Sequence, residues 1–289
     1  MVISAAGVDH ARMVELAQSK FGDMKRSDPS SLEAVCMLEP ESEYIGSSAG
    51  DIFAEEVQVG PKQCHVAFAF PAVGWADSDV VATCLLDTMA GGGSSFSAGG
   101  PGKGMYSRFY REVLARHGWM DQANAFSLQF AEQGLLGSYG ATTDEDWDPM
   151  LQVLAENVHG FLARPADPVE LSRAKKQLQS SIMMNLEMRG VLCEDIGRQV
   201  ITLGKRFEAQ DLCDRIDKVT SEELVEIARK SMMQPMSLVM LNGIMQRDDQ
   251  ECRDNLERVR ENMESFFKAE ASKVLDQTAA YGSPAAGSA

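Results

Sequence analysis

Four histidines, His10, His65, His117 and His159, are the side chains in this sequence best suited to hold a metal or move a proton. A zinc site of the protease kind sets two imidazoles and a carboxylate on one helix face, as H-E-x-x-H or its inverse H-x-x-E-H. None of the four histidines has a second within a helical turn. His65 opens an apolar run, and His117 and His159 fall near predicted helix C-termini, where the backbone dipole favours a cation. A structural role accounts for each of them. Six cysteines, Cys36, Cys64, Cys84, Cys193, Cys213 and Cys252, include no C-x-x-C pair. They have neither disulfide-scaffold nor zinc-ribbon spacing and read as free thiols of a reducing compartment. No G-x-S-x-G nucleophile elbow is present. Glu194 and Asp195 beside Arg198 read as a charged helix face, with Glu194 and Arg198 paired at i,i+4. Asp144-Glu145-Asp146 stands where a helix begins and carboxylates are favoured. Residue chemistry therefore predicts no catalytic residue, no metal and no cofactor in this chain.

The segment that stands out is Gly91–Gly104, GGGSSFSAGGPGKG, with seven glycines, three serines and one proline. So dense a run cannot be helix or strand, because glycine loses the most entropy on ordering. Long loops inside compact domains carry function or lack order. A phosphate-binding reading fails: a Walker loop needs Gly-Lys followed by Ser or Thr, and Gly102-Lys103 is followed by Gly104. The dinucleotide fingerprint fails too, because Gly102-x-Gly104 ends on Ser107. What remains is a nearly uncharged backbone surface rich in N–H and C=O groups. Such a surface suits a peptide held extended through main-chain hydrogen bonds.

The elements that must position this loop follow from periodicity. Predicted helices abut it on both sides, Asp77–Ala90 with Asp77 or Ser78 as N-cap, and Met105–His117 with Gly118 as C-cap. The run HVAFAFP, His65–Pro71, puts Val66, Phe68 and Phe70 on one strand face. Ile52–Gln58 reads as a strand, with Gly60-Pro61 as a turn. Trp119–Gln133 alternates Ala125, Ser127 and Gln129 against Phe126, Leu128 and Phe130, and Gly134–Thr142 is its hairpin partner. Helices follow at Val8–Phe21, Asp144–Leu162, Pro168–Met188, Val191–Leu203, Ser221–Met232 and Arg247–Leu275, with a half-satisfied capping box at Ser221-x-x-Leu224 and a final strand at Ser237–Leu241. Met183, Met184 and Met188, at helical spacing, read as core. Met1–Ala6 reads as the last strand of a preceding domain. Strands and helices are grouped rather than alternating, which predicts an α+β fold, an antiparallel sheet with helices packed on one face.

The chain has 289 residues and a formal net charge of −16. No basic patch could dominate such a field, which excludes nucleic acid as a partner and favours cationic ones. No apolar run approaches the length of a transmembrane helix.

Two stretches carry a family resemblance: GWADSDVVATCLLDTMAGGGSSFSAGGPGKGMYSRFYREVL and QLQSSIMMNLEMRGVLCEDIGRQVITLGKR. Both resemble the α subunits of the mitochondrial processing peptidase, a family related to the core subunits of the cytochrome bc1 complex, respiratory complex III. The resemblance covers roughly Met1–Asn242. It implies a processing-peptidase/core-protein-like α+β domain and a non-catalytic subunit of a zinc metalloendopeptidase of the M16 kind. It further implies a β-type partner subunit that carries the zinc and the H-x-x-E-H motif. In such a subunit the loop contributes to presequence recognition, and the matching positions are Gly91, Gly92, Gly93, Ser94, Ser95, Phe96, Gly99, Gly100, Gly102, Lys103 and Gly104. Presequences are basic and amphipathic, in keeping with the acidic balance here. The implied location is the mitochondrial matrix or the matrix side of the inner membrane, with cytochrome b, cytochrome c1 and other complex III subunits as partners if the chain serves electron transport as a core subunit. A purely structural core subunit is the alternative. Resemblance, periodicity and composition together give the expected organisation: 1–22 as the end of an N-terminal domain, 23–50 as a linker, 51–245 as the loop-bearing domain, 246–276 as a helical extension and 277–289 as an Ala/Gly/Ser-rich disordered tail. Either a separate chain supplies the N-terminal half, as an expected further partner, or this sequence is a piece of a longer one.

Overall fold

The computed structural model describes residues 2–25, 44, 46, 48–49, 63–94, 105–143, 146–163, 165–242 and 250–281. The expected strand at 52–58, the turn at Gly60-Pro61 and most of the expected linker lie outside them. Two compact units divide the chain: 1–43 with 179–215, and 44–178 with 216–289. Residues 179–215, expected within the 51–245 domain, thus gather with the N-terminal residues.

The larger unit is built on a six-stranded sheet. Its strands are β1 (Ser48–Ala49), β2 (Gln63–Val73), β3 (Gly92–Ser94), β4 (Met120–Gln129), β5 (Gln133–Thr143) and β6 (Ser237–Asn242), in the order β1-β6-β2-β5-β4-β3. Every pairing is antiparallel except the two-residue β1–β6 contact. Register follows the period-two pattern: Val66, Phe68 and Phe70 face Gly140, Ser138 and Leu136 on β5. Val66 and Phe68 face Met240 and Leu238 on β6. These side chains are buried because the helices all lie on their side of the sheet. Those helices are α2 (Val80–Ala90), α3 (Trp147–Ala163), α7 (Ser221–Met232) and α8 (Gln250–Tyr281). The fold is α+β with helices on one face of the sheet, as expected.

The opposite face carries Val239 and Leu241, about half exposed, and Phe126 in register with Gly137. The Phe126 ring lies where a Gly137 side chain would stand.

Helix α8 is part of this core rather than an appendage. Phe267 is fully buried, with its ring 4.9 Å from Phe70 and 6.1 Å from Phe68. Glu264 of the same helix accepts from the Met236 N–H at 2.8 Å and pairs with Arg260. Tyr44 donates to the Ala69 carbonyl and to Ser237 Oγ beside it, and burial pushes its hydroxyl pKa up. The helix continues through Tyr281, so 277–281, expected as disordered tail, are helical.

The smaller unit holds α1 (His10–Phe21), the C-terminal half of α4 (Pro168–Leu186), α5 (Arg189–Leu203) and the N-terminal half of α6 (Ala209–Lys218). Asp9 caps α1 by accepting from the Arg12 N–H, and α1 buries none of its residues. Residues 2–5 are not a strand. A strand needs a neighbour for its N–H and C=O groups, and here the Ser4 carbonyl accepts from Cys193 Sγ instead. Met183, Met184 and Met188 are 44%, 60% and 62% exposed, so they fill no core. Their spacing suggests one helical face, but α4 ends at Leu186, Met188 is the extended residue that precedes α5, and no described element of this unit buries the three. Arg198 pairs with Asp195 at i,i+3 rather than with Glu194. Gln199 is tied on both sides, donating to Asp195 and accepting from the Phe207 N–H at 2.6 Å.

Local capping differs from expectation in two places. Thr220, not Ser221, begins α7 and forms a full capping box with Glu223. Asp79, not Asp77 or Ser78, precedes α2, while the Asp77 side chain accepts from the Asp79 N–H at 2.8 Å and ends the turn before it.

Candidate functional site

Of the loop positions singled out by the sequence, Gly91, Gly92, Gly93 and Ser94 lie within the described residues. Ser95, Phe96, Gly99, Gly100, Gly102, Lys103 and Gly104 lie outside them. The geometry of both ends of the loop is nevertheless defined.

The first end is a helix stop joined to a sheet edge. Helix α2 closes with the Gly91 N–H donating to the Asp87 carbonyl at 2.7 Å, and Gly91 then turns to φ 52° and ψ −134°. Gly92 follows at φ 129°. Side chains rarely adopt these angles, so glycine is required at both positions. The Gly91 carbonyl accepts from the Ala125 N–H at 2.7 Å. Gly92, Gly93 and Ser94 then pair antiparallel with Asn124, Ala123 and Gln122 as the edge strand β3. Three of the eleven positions, Gly92, Gly93 and Ser94, therefore extend the sheet, where the glycine content predicts no strand, and Gly91 joins them to α2.

The second end is not the long α-helix that the pattern Met105–His117 predicts. A π-helix spans Phe109–Leu114, and the Ala115 N–H reaches back five residues to the Tyr110 carbonyl. Ala115, not Gly118, is its C-cap. Such wide turns recur at functional sites.

The two ends touch. A side chain at Gly91 would stand 2.5 Å from Ser107 Cβ, so only glycine lets the backbone approach so closely. Next to Ser107, Arg108 is buried and forked onto Glu170 at the start of α4. Its Nε and Nη2 donate to the two carboxylate oxygens at 2.8 and 2.9 Å. Arg108 also donates to the Gly160 carbonyl at 3.1 Å and stacks over the Phe161 ring at 4.4 Å. The two described flanks of the segment thus meet at one neck, where Ser107 lies against Gly91 and Arg108 fastens it to α3 and α4.

Two further features at the neck went unread in the sequence. Asp87, one turn before Gly91, has a buried Oδ1 without a hydrogen-bond partner among the described residues, and burial pushes its carboxyl pKa up to about 6. Beneath the neck, an apolar cavity of about 40 Å³ is bounded by residues of the sheet, α2, α3, α7 and the π-helix.

Three of the four histidines have structural contacts, and His10 is exposed at the start of α1. His65 Nδ1 and the Tyr139 hydroxyl share a hydrogen bond of 2.7 Å, His159 meets Glu270 at 3.2 Å, and His117 packs edge-on against Trp119. Among the described residues, no three His, Cys, Asp or Glu side chains gather as a metal site would require.

The family model described as "Peptidase M16 inactive domain" matches residues 1–178. The chain is 32% identical to the mitochondrial-processing peptidase subunit alpha of Neurospora crassa, over 80% of this chain and 51% of that protein. It is 34% identical to the human protein of that name, over 80% of this chain and 45% of that one. A probable alpha-1 subunit of Arabidopsis thaliana is 32% identical, over 85% and 46%. The chain spans about half the length of the curated relatives it matches. Its fold is similar to a chain in the structure of complex III2 from Candida albicans, with a TM-score of 0.66 and 15% identity, covering 89% of this chain and 56% of that one. The residues matched by the family model include β2 through most of α4, and with them the loop and its neck; this chain belongs to the family of peptidase M16 inactive domains.

Proposed function

We propose that this chain is the non-catalytic, α-type subunit of a mitochondrial processing peptidase and recognises basic presequences through residues 91–104. The observation that carries the proposal is the neck. A segment rich in glycine is held at both ends by contacts that tolerate no side chain at Gly91, and it springs from the sheet's edge strand. An edge strand continued by glycine-rich backbone suits an extended peptide that adds through main-chain hydrogen bonds. The net charge of −16 supports a cationic ligand. Similarity to proteins named as mitochondrial-processing peptidase alpha subunits supports the assignment and a mitochondrial location, and the matrix side belongs to the proposal.

The proposed partner is a β-type subunit carrying the zinc. A structural core subunit of complex III is the second reading, and the likeness in fold to a chain of a complex III2 structure favours it.

Affinity purification of the native assembly, with identification of its chains, separates the two. Recovery of a chain with an H-x-x-E-H motif is the expected result. Recovery of cytochrome b and c1 places the chain in complex III, and recovery of neither refutes both readings.

A further inference from the structure

The cavity beneath the neck lies between the two ends of the loop. Ala90, the residue before Gly91, lines it from one side, and Phe109, the residue after Arg108, lines it from the other. Most of the lining is fully buried, but Ala125 and Leu136 are only partly so, and they mark its mouth. The Ala125 N–H donates to the Gly91 carbonyl at 2.7 Å, so the mouth opens beside the first foot of the loop.

The size and chemistry of the space select its occupant. One water needs roughly 10–15 Å³ and two to four polar partners. At about 40 Å³ the cavity has room for about three heavy atoms. Its polar lining side chains are Ser138 and Ser231, and the remaining lining residues are apolar or glycine. Three waters would be poorly bonded there, whereas a branched aliphatic tip meets carbon on nearly every side.

We propose that this cavity is the seat for one aliphatic side chain, of leucine or valine size, from the basic amphipathic peptide that the loop engages. The inference rests on the presequence-recognition reading above. The loop's backbone would hold the peptide's main chain, and the cavity would select an apolar residue at one position.

The test uses the assembled complex and a fluorescently labelled 20-residue amphipathic peptide of leucine and arginine, with each leucine changed in turn to alanine. In the unaltered protein, one replacement weakens binding roughly tenfold or more, as expected when a buried isopropyl group is lost. In the cavity-filling variants Ala228→Val and Ala125→Val, that replacement changes affinity by less than about twofold, because the seat is already occupied. Val158→Ala enlarges the space and shifts the preference at that one position from leucine towards phenylalanine. This specificity change separates a seat from general destabilisation and decides the matter if the filled variants do not fold. If every leucine replacement costs the same in filled, enlarged and unaltered protein while binding still depends on residues 91–104, the cavity assignment is overturned and the loop reading stands. If binding does not depend on residues 91–104, both are overturned.

Discussion

Arg108→Ala is expected to lower folding stability by about 3–5 kcal/mol, the usual cost of removing one partner from a buried ion pair. The mutation strands the Glu170 carboxylate, whose side chain is only 16% exposed, without its two donors. It also leaves the Gly160 carbonyl without this donor and removes the guanidinium that stacks over Phe161. Denaturant unfolding should show a lower midpoint with an unchanged slope. Arg108→Met combined with Glu170→Leu should recover most of the loss, since an apolar pair of similar volume removes the stranded charge. An Arg108→Ala protein as stable as the parent would show that the fork does not hold the neck.

Asp87→Asn is expected to stabilise the protein at neutral pH, by on the order of 1–3 kcal/mol. Burial raises the Asp87 carboxyl pKa from 3.8 to about 6, and no neighbouring charge contributes to the shift. A raised carboxyl pKa means that the folded state binds the proton more tightly than the unfolded one. Stability contributed by the protonated form is therefore complete below about pH 4 and is lost as pH rises through about 6. Asparagine keeps the shape and removes the charge, so the variant should gain most above pH 7 and little near pH 4. Unfolding midpoints at pH 4.5 and 7.5 measure this. A variant less stable than the parent at pH 7.5 would mean that the carboxylate is satisfied in the folded protein.

Much of the fold was legible because alternation is a direct record of burial. Val66, Phe68 and Phe70 mark the covered face of β2, and Ala125 and Ser127 against Phe126 and Leu128 mark the two faces of β4. The cap of α7 was displaced by one residue because Thr220 and Ser221 are both good caps, and only the position of Glu223 distinguishes them. The π-helix at Phe109–Leu114 has no composition of its own, so Met105–His117 reads as an ordinary helix. Met183, Met184 and Met188 stand at helical spacing, yet α4 ends at Leu186 and Met188 falls in the link to α5, which spacing alone does not reveal. The loop was visible by composition, but its neck was not. Arg108 and Glu170 are 62 residues apart, and neither is unusual alone. Asp87 did leave a signal: it is the one charged residue of the α2 segment VVATCLLDTMA, and a carboxylate in so apolar a run is a candidate for burial.

The central claim is that residues 91–104 hold presequences through their backbone. Replacing the segment with a short Ser/Asn turn tests it most directly, because the described part of the loop adds to the sheet only as its edge strand and little to the core. The measurement is titration of a fluorescent basic presequence peptide onto the assembled complex. Binding should fall by more than about a hundredfold, while assembly and the melting transition stay intact. Gly99→Pro and Gly100→Val, which stiffen the backbone, should each weaken binding more than Lys103→Ala does, since a basic peptide gains nothing from a lysine. Unchanged affinity after replacement of the whole segment would contradict the account and leave the structural core subunit as the surviving reading.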